Sequence, residues 1–213
     1  MLKKNKGLMI LTSVLILLPI AAGVVLWEQL PEVMPIHWGA NGEADGWSSR
    51  PVAVFGMPLL LLAVHWIGMW VTDLDSRNKT QNPKVRNLMM WLLPAVSLLG
   101  NGSTYAAALG QEMDILRYVY LLLGLLFIII GNYLPKCKQS YTMGIKLPWT
   151  LSSEENWNKT HRLAGKLWVG AGAIMMLTAF FENVFIMLSI VFIAVIIPTV
   201  YSYTLFAKEN KNK

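Results

Sequence analysis

Long uncharged apolar runs alternate with shorter polar stretches along this chain of 213 residues. A helix over residues 7–27, at about 1.5 Å of rise per residue, is long enough to cross a hydrocarbon core of about 30 Å. Five later apolar segments follow, at residues 51–72, 87–111, 118–134, 167–181 and 183–207. This pattern predicts an all-α fold: a polytopic helical membrane protein with six transmembrane helices.

The fifth apolar segment is the shortest, and its uncharged part would extend only about 23 Å as a helix. It crosses the membrane only if the preceding helix continues into it, or if Lys166 extends its ammonium group to the surface. Ser152 and Glu155 fit a capping box, which predicts that this preceding helix begins near Ser153. The sequence thus predicts an interfacial cytoplasmic helix that leads into the fifth span.

Composition agrees with a membrane protein, because 55% of the residues are hydrophobic and only 14% are charged. Soluble domains carry about 25% charged residues. The single cysteine, Cys137, excludes an internal disulfide and any CxxC motif. The net charge of +6 does not indicate direct nucleic-acid binding, because the cations flank the apolar runs instead of clustering on one soluble face.

The placement of the cations predicts the orientation. With a cytoplasmic N-terminus and six spans, sixteen of the eighteen Lys and Arg residues lie inside, and only Arg50 and Arg117 lie outside. The inner set includes Lys3, Lys4 and Lys6 at one end and Lys208, Lys211 and Lys213 at the other. Such asymmetry predicts a plasma-membrane protein with both termini cytoplasmic. The basic start and Ala21-Ala22-Gly23 also permit a cleaved signal, although an uncleaved first helix is favoured.

The six spans divide into two halves. Residues 1–110 hold three spans and an outer loop at 28–50, and residues 111–213 hold three spans and a polar segment at 131–166. In each half a span ends in Leu-Pro, at Leu30-Pro31 and Leu134-Pro135. Two halves of three spans are inserted in opposite senses, which is compatible with an inverted repeat of the kind found in transporters.

The outer loop is acidic and rich in Pro and Gly, and Asp45-Gly46 predicts a turn within it. Trp38 and Trp47 suit the headgroup level of the membrane. His37, Glu43 and Asp45 match no metal-ligand spacing, so no metal is predicted. In the second span, His65 is a functional candidate because of its depth, although an imidazole bonded to a neighbouring helix is favoured.

The polar segment at 131–166, called the signature segment below, is the longest polar segment of the chain and holds six of the eighteen Lys and Arg residues, two Trp and one of the three His. Pro135, Gly144 and Pro148 predict an irregular or extended chain over residues 136–149. Farther along, Trp157, His161, Ala164 and Trp168 recur at helical spacing and share one face.

The segment resembles the signature of the SdpI family, the immunity proteins against sporulation-delaying toxin. The residues that carry the resemblance are Gly131-Asn132-Tyr133, the run Gly144-Ile145-Lys146-Leu147-Pro148-Trp149-Thr150-Leu151, Trp157, Lys159-Thr160-His161-Arg162 and Gly165. The family more often has Arg-Thr where this chain has Lys146-Leu147. The outer loop also resembles a short motif at the start of such proteins, through Leu30-Pro31, Pro35, His37-Trp38, Gly42 and Asp45-Gly46.

The resemblance implies protection of the membrane from a secreted peptide toxin, together with recruitment of a cytoplasmic transcriptional repressor. The residues assigned to the partner or toxin response are Trp149, Trp157, Thr160, His161 and Arg162. Gly144, Pro148 and Gly165 form the motif turns, and Pro35, His37, Trp38 and Asp45 belong to the outer loop.

Two interpretations of the signature helix coexist. In one, Trp157 and Trp168 lie at the headgroups while Lys159, Arg162 and Lys166 contact anionic membrane lipid. In the other, Trp149, Trp157, His161 and Arg162 anchor a cytoplasmic protein, since Trp and Arg dominate binding hot spots.

The sequence contains no Walker loop, GxSxG elbow, HExxH or dinucleotide-binding motif, so neither an enzyme nor a cofactor is predicted. The alternatives to immunity are a small transporter or exporter that uses the region of His65, and an envelope stress sensor.

Overall fold

The computed structural model describes residues 5–111, 114–181 and 183–211. Lys3, Lys4 and Lys213, which belong to the cations assigned to the cytoplasmic side, lie outside these residues. Within the described part the helices are α1 (Lys6–Val25), α2 (Met57–Leu74), α3 (Pro83–Ala108), α4 (Ile115–Tyr133), α5 (Pro148–Ser152), α6 (Glu154–Thr178) and α7 (Val184–Lys211). The strands are β1 (Val33–Trp38) and β2 (Ala44–Ser49).

Five helical segments are long and apolar enough to cross a membrane: Lys6–Val25, Val52–Leu74, Ile115–Lys136, Glu154–Phe181 and Val184–Lys211. The protein is therefore a helical membrane protein. The helix α3 is 26 residues long but is not among the five. It begins with the charged residues Lys84 and Arg86 and later contains the polar run Asn101-Gly102-Ser103, which lowers its apolar character.

The chain forms two compact units, the described parts of Met1–Leu74 with Arg86–Ile115, and of Asp75–Val85 with Leu116–Lys213. In the first unit, α1 contacts both other long helices. The Ser97 hydroxyl donates to the Ile16 carbonyl (2.8 Å), and the Tyr105 hydroxyl donates to the Pro19 carbonyl (2.9 Å). Since Ser97 and Tyr105 follow the same order as Ile16 and Pro19, α3 runs parallel to α1.

The outer loop folds into an antiparallel β-hairpin, an element that the all-α prediction did not include. Its turn lies at residues 39–43, where the Gly39 amide donates to the Glu43 carbonyl (2.9 Å) and Gly42 has a φ of 80°. The predicted turn at Asp45-Gly46 is wrong, because both residues lie in β2. Gly42 supplies the left-handed conformation that this turn requires. One face of the hairpin packs on a core cluster through Met34.

In the second unit, α4 and α6 approach each other at glycines. A Cβ on Gly131 would lie 2.9 Å from the Gly165 carbonyl oxygen, and one on Gly165 would lie 2.7 Å from the Gly131 oxygen. Farther along, Gly124 and Gly172 are in the same relation. Small residues at such positions let helix backbones come close together.

The helix α6 is continuous from Glu154 to Thr178, so the polar signature helix does run into the fifth apolar segment. Its start agrees with the prediction, but the predicted cap at Ser152 is wrong. Pro148 begins the short helix α5, which ends at Ser152, and Ser153 is the extended residue whose side chain accepts from the Asn156 amide (3.2 Å).

Candidate functional site

The signature segment builds a compact loop between α4 and α6. After a 3-10 turn at Leu134–Lys136, residues 137–147 are irregular, and we call them the signature loop. The predicted irregular stretch of residues 136–149 is thus confirmed for residues 137–147, whereas Lys136 ends the 3-10 turn and Pro148 and Trp149 belong to α5.

The centre of the site is the stacked pair Trp157 and His161. Their ring centroids are 4.0 Å apart at 20°, and both side chains are buried, with 0% and 1% exposed. The Trp157 indole donates to the Cys137 carbonyl (2.8 Å). The pair therefore attaches α6 to the first residue of the signature loop.

His161 also fixes the middle of the loop. Its Nε2 accepts from the Ile145 amide (2.9 Å), and its Nδ1 lies 2.8 Å from the Trp157 carbonyl. Because an amide can only donate, Nε2 is unprotonated and Nδ1 carries the proton of a neutral imidazole. Both ring nitrogens of His161 are therefore used for hydrogen bonds within the protein, and the neutral ring offers no positive charge to a partner.

Gly144 lies against these two rings. Its φ is 96°, and an added Cβ would lie 2.5 Å from His161 Nε2 and 2.7 Å from the Trp157 ring. Both the left-handed backbone and the lack of space therefore require glycine at this position.

Thr150 closes the loop at α5. Its hydroxyl lies 2.8 Å from the Ile145 carbonyl and accepts from the Leu147 amide (2.9 Å). The Gln139 amide group donates to the Thr150 and Leu151 carbonyls, at 2.8 and 3.0 Å. These bonds satisfy backbone groups that the irregular chain would otherwise leave without partners.

The helices α5 and α6 are attached to α7 through polar contacts. The Trp149 indole donates to the Ser202 hydroxyl (2.8 Å), and the Asn156 side chain donates through Nδ2 to the Ser202 carbonyl (2.9 Å). Thr160 is buried and donates to Asn156 Oδ1 (3.0 Å). Trp149 and Thr160 thus help to position α5 and α6 against α7.

The predicted response residues divide by exposure. Trp157, Thr160 and His161 are buried, so in this conformation their side chains are not presented at the surface for direct contact with a partner. For the same reason the Trp157 ring is not available to contact lipid headgroups. Arg162 is exposed and lines an open groove of about 600 Å³ with Pro135, Glu154, Glu155, Asn158 and Lys159. Of the motif turns, Gly144 contacts the buried rings and Gly165 contacts α4, whereas Pro148 begins α5.

Sequence reasoning missed the connection between α2 and α3. Asp75 is buried and accepts from the Ser140 hydroxyl (2.8 Å) and the Tyr141 amide (2.8 Å) of the signature loop. Gln81 bonds the backbone of Lys138. No local signal identifies these residues, because each partner lies more than fifty positions away in the chain.

The outer-loop candidates lie in the hairpin of the first unit. His37 Nδ1 and Asp45 Oδ1 are 2.5 Å apart, and both side chains are mostly exposed. Pro35 is buried and pairs with Trp47, and Trp38 is partly buried. Among the described residues, no group of three or more His, Cys, Asp or Glu side chains is arranged to hold a metal ion.

His65 is buried in the first unit. Its Nε2 lies 3.1 Å from the Thr12 hydroxyl of α1, in agreement with an imidazole bonded to a neighbouring helix. The Thr12 hydroxyl also lies near the Leu8 and Met9 carbonyls, which only a donor can bond. Within the described part of the chain, His65 Nδ1 has no hydrogen-bond partner.

Comparison with known proteins gives one family match in each of the two compact units. A model of the SdpI/YfhL protein family matches residues 136–202, and a domain of unknown function (DUF1648) matches residues 14–62. The immunity protein SdpI of Bacillus subtilis (strain 168) is 30% identical over 217 residues, and the alignment covers 100% of each chain. No solved structure matches. Similarity along the full length, with the family match beginning at the signature loop, shows that the chain belongs to the SdpI/YfhL protein family.

Proposed function

We propose that this protein is an integral membrane immunity protein that protects its cell from a secreted peptide toxin. The observation that carries the proposal is the 30% identity to an immunity protein over the whole of both chains. The geometry supports it, because the buried signature residues Trp157 and His161 stack on each other and Gly144 lies against both rings, so the three build one site.

The proposed topology has six spans, with α3 as the third. Residues 75–81, which follow α2, bond residues 138–142, which follow α4, so the two connections share one side of the membrane. In crossing the membrane, α4 brings the chain back to the side on which residue 81 lies. The chain must therefore have crossed to the opposite side once between residue 81 and the start of α4. The parallel contacts of α3 with α1 support α3 as this crossing.

In this topology the distribution of cations favours cytoplasmic termini. The signature loop then lies on the cytoplasmic side of the plasma membrane, and the hairpin lies outside. The toxin approaches from the side of the hairpin.

A second part of the proposal is signal transduction to a cytoplasmic transcriptional repressor. The groove beside α6 supports such a partner, because it is open and presents Arg162 with Glu154, Glu155 and Lys159. The pair Lys159 and Glu155 is exposed at 2.5 Å and is readily exchanged for contacts with a partner. Trp157 and His161 act indirectly by holding the helix that carries this groove. The exposed cations of the same helix also suit anionic membrane lipid.

The test is survival of a toxin-sensitive bacterium that lacks its own immunity gene. Expression of the protein should protect it from sporulation-delaying toxin and not from an unrelated pore-forming peptide. His161→Phe, confirmed in the membrane by immunoblot, should reduce protection, whereas Lys84→Gln, which removes an exposed charge at the start of α3, serves as the control and should leave protection unchanged. Absence of protection by the inserted wild-type protein would refute the immunity proposal.

A small transporter or exporter is the second candidate, because His65 is buried in the spans and its Nδ1 has no described partner. Transport predicts flux of a solute by the purified protein in lipid vesicles, and it predicts that His65→Ala abolishes that flux. Immunity by binding alone predicts no flux. An envelope stress sensor predicts neither flux nor protection, but a transcriptional response to membrane damage.

A further inference from the structure

The connection between α2 and α3 is bonded to the signature loop at several points. Its first residue, Asp75, is only 9% exposed. One carboxylate oxygen, Oδ2, accepts from the Ser140 hydroxyl (2.8 Å), the Tyr141 amide (2.8 Å) and the Thr142 hydroxyl (3.3 Å). The other, Oδ1, accepts from the Arg77 amide (3.0 Å) and so shapes the connection itself. One side chain therefore holds two segments of the chain together.

Two further residues of the connection extend this contact. The Asn78 side chain donates through Nδ2 to the Thr142 hydroxyl (2.7 Å). Gln81 donates to the Lys138 carbonyl and accepts from the Lys138 amide, both at 2.9 Å, as a neighbouring strand would. Arg77 lies over the Tyr141 ring, 4.2 Å from its centroid. The contacts cover residues 138–142, immediately before Gly144 and the bonds to His161.

Hydrogen bonding keeps the Asp75 carboxylate ionised. Burial raises the pKa of Asp75, but the bonds from Ser140, Arg77, Tyr141 and Thr142 lower it, and the net result is a pKa below the ordinary value. An ionised carboxylate accepts at both oxygens, whereas an asparagine side chain accepts at only one. The arrangement thus depends on an aspartate and not merely on a polar side chain of this size.

We infer that Asp75 is a positioning residue for the signature loop, and that the functional site extends to residues 75–81. These residues lie outside both segments that match known families, residues 14–62 and 136–202. The inference rests on the proposed function for its consequence in the cell.

The only cysteine of the protein is a native reporter for this contact. Cys137 begins the signature loop and is 5% exposed, and burial raises the pKa of its thiol to about 11. Such a thiol reacts slowly, because the thiolate is the reactive form. If Asp75 holds the loop in place, its loss should expose Cys137 while the helices remain folded.

The experiment measures labelling of the full-length protein in native membranes by N-ethylmaleimide, which crosses membranes, together with survival under sporulation-delaying toxin. Asp75→Asn should raise the labelling rate of Cys137 several-fold and reduce protection. Lys84→Gln removes an exposed charge at the start of α3 and should leave both readouts as in the wild type. Thermal unfolding in detergent, followed by circular dichroism, establishes that the variant is folded.

A second variant covers the case in which Asp75→Asn does not accumulate. Ser140→Ala removes one donor to the carboxylate and should raise labelling to a smaller degree. Unchanged labelling in both variants would overturn the inference, and so would raised labelling with full protection. If the wild type gives no protection while Asp75→Asn still exposes Cys137, the proposed function fails and the positioning role stands.

Discussion

The outer hairpin and the signature segment have similar compositions but opposite architectures. Both contain Trp, His, Pro and Gly in a polar stretch of the chain. In the hairpin, His37 and Asp45 pair at the surface and Trp47 is 58% exposed. In the signature segment, the same residue types, Trp157 and His161 of α6, are buried and bond the backbone of the signature loop.

This difference teaches that a dense set of large polar side chains does not by itself mark a contact surface. A long irregular loop leaves many amide and carbonyl groups without secondary-structure partners, and buried side chains have to supply them. The hairpin needs no such help, because its two strands satisfy each other. The signature residues are therefore explained first as the internal scaffold of the loop.

The largest effect should come from Trp157→Ala. Loss of a fully buried tryptophan that stacks on His161 should lower the free energy of unfolding by about 3–5 kcal/mol. Reversible unfolding in sodium dodecyl sulfate, followed by circular dichroism, measures this change. Trp47→Ala in the hairpin should stay within about 0.5 kcal/mol of the wild type. Equal losses of unfolding free energy in the two variants would contradict the conclusion that Trp157 has an internal structural role that Trp47 lacks.

Gly144→Ala should lower the free energy of unfolding by about 2–4 kcal/mol, since it combines backbone strain with overpacking. Its φ of 96° is unfavourable for alanine, and the new methyl group would overlap the rings of His161 and Trp157. Gly110→Ala is the matched control, because Gly110 has a φ of 77° with open space around it. In the same assay, Gly110→Ala should lower the free energy of unfolding by only about 1–2 kcal/mol.

His161→Phe keeps an aromatic ring beside Trp157 but leaves the Ile145 amide without its acceptor. An unsatisfied buried donor costs about 1–3 kcal/mol, which the same unfolding experiment detects. His37→Phe disrupts only an exposed pair and should change the free energy by less than about 1 kcal/mol. A larger loss at His37 would show that the hairpin depends on its polar contacts as strongly as the signature loop does.

The smallest effect should appear in acid. The folded-state pKa of Asp75 lies below its ordinary value of 3.8, so its stabilising contribution is complete above about pH 3.8 and is lost as the pH falls toward the folded-state value. Unfolding measured from pH 6 downward should therefore show a decrease in stability below about pH 4. Asp75→Asn should remove that part of the decrease. A pH profile unchanged by the substitution would contradict the depressed pKa.

Much of the helical framework follows from the sequence, because apolar runs of membrane length leave few other structures open. The start of α6 and the irregular chain before Leu147 also follow, from capping and proline chemistry. The hairpin was not predicted, since only its turn residue Gly42 indicates it locally. The role of Asp75 could not be predicted from the sequence. It depends on hydrogen bonds to Ser140 and Tyr141, which only the folded chain brings near.

The sequence did not indicate which side chains of the signature helix are exposed and which are buried. The spacing of Trp157, His161 and Ala164 correctly placed them on one face of a helix. Spacing does not say whether that face meets lipid, a partner or the protein's own loop. Here the third case holds, because residues 137–147 fold back onto it.

The glycines between α4 and α6 have a consequence for how this protein tolerates genetic variation. At Gly124, Gly131, Gly165 and Gly172 the nearest neighbours of an added methyl group include backbone oxygens, which cannot rotate away as a side chain would. Saturation mutagenesis scored by growth should therefore show that these four positions tolerate only glycine. At Gly170, on the same helix with nothing within 4 Å, substitutions should be broadly tolerated.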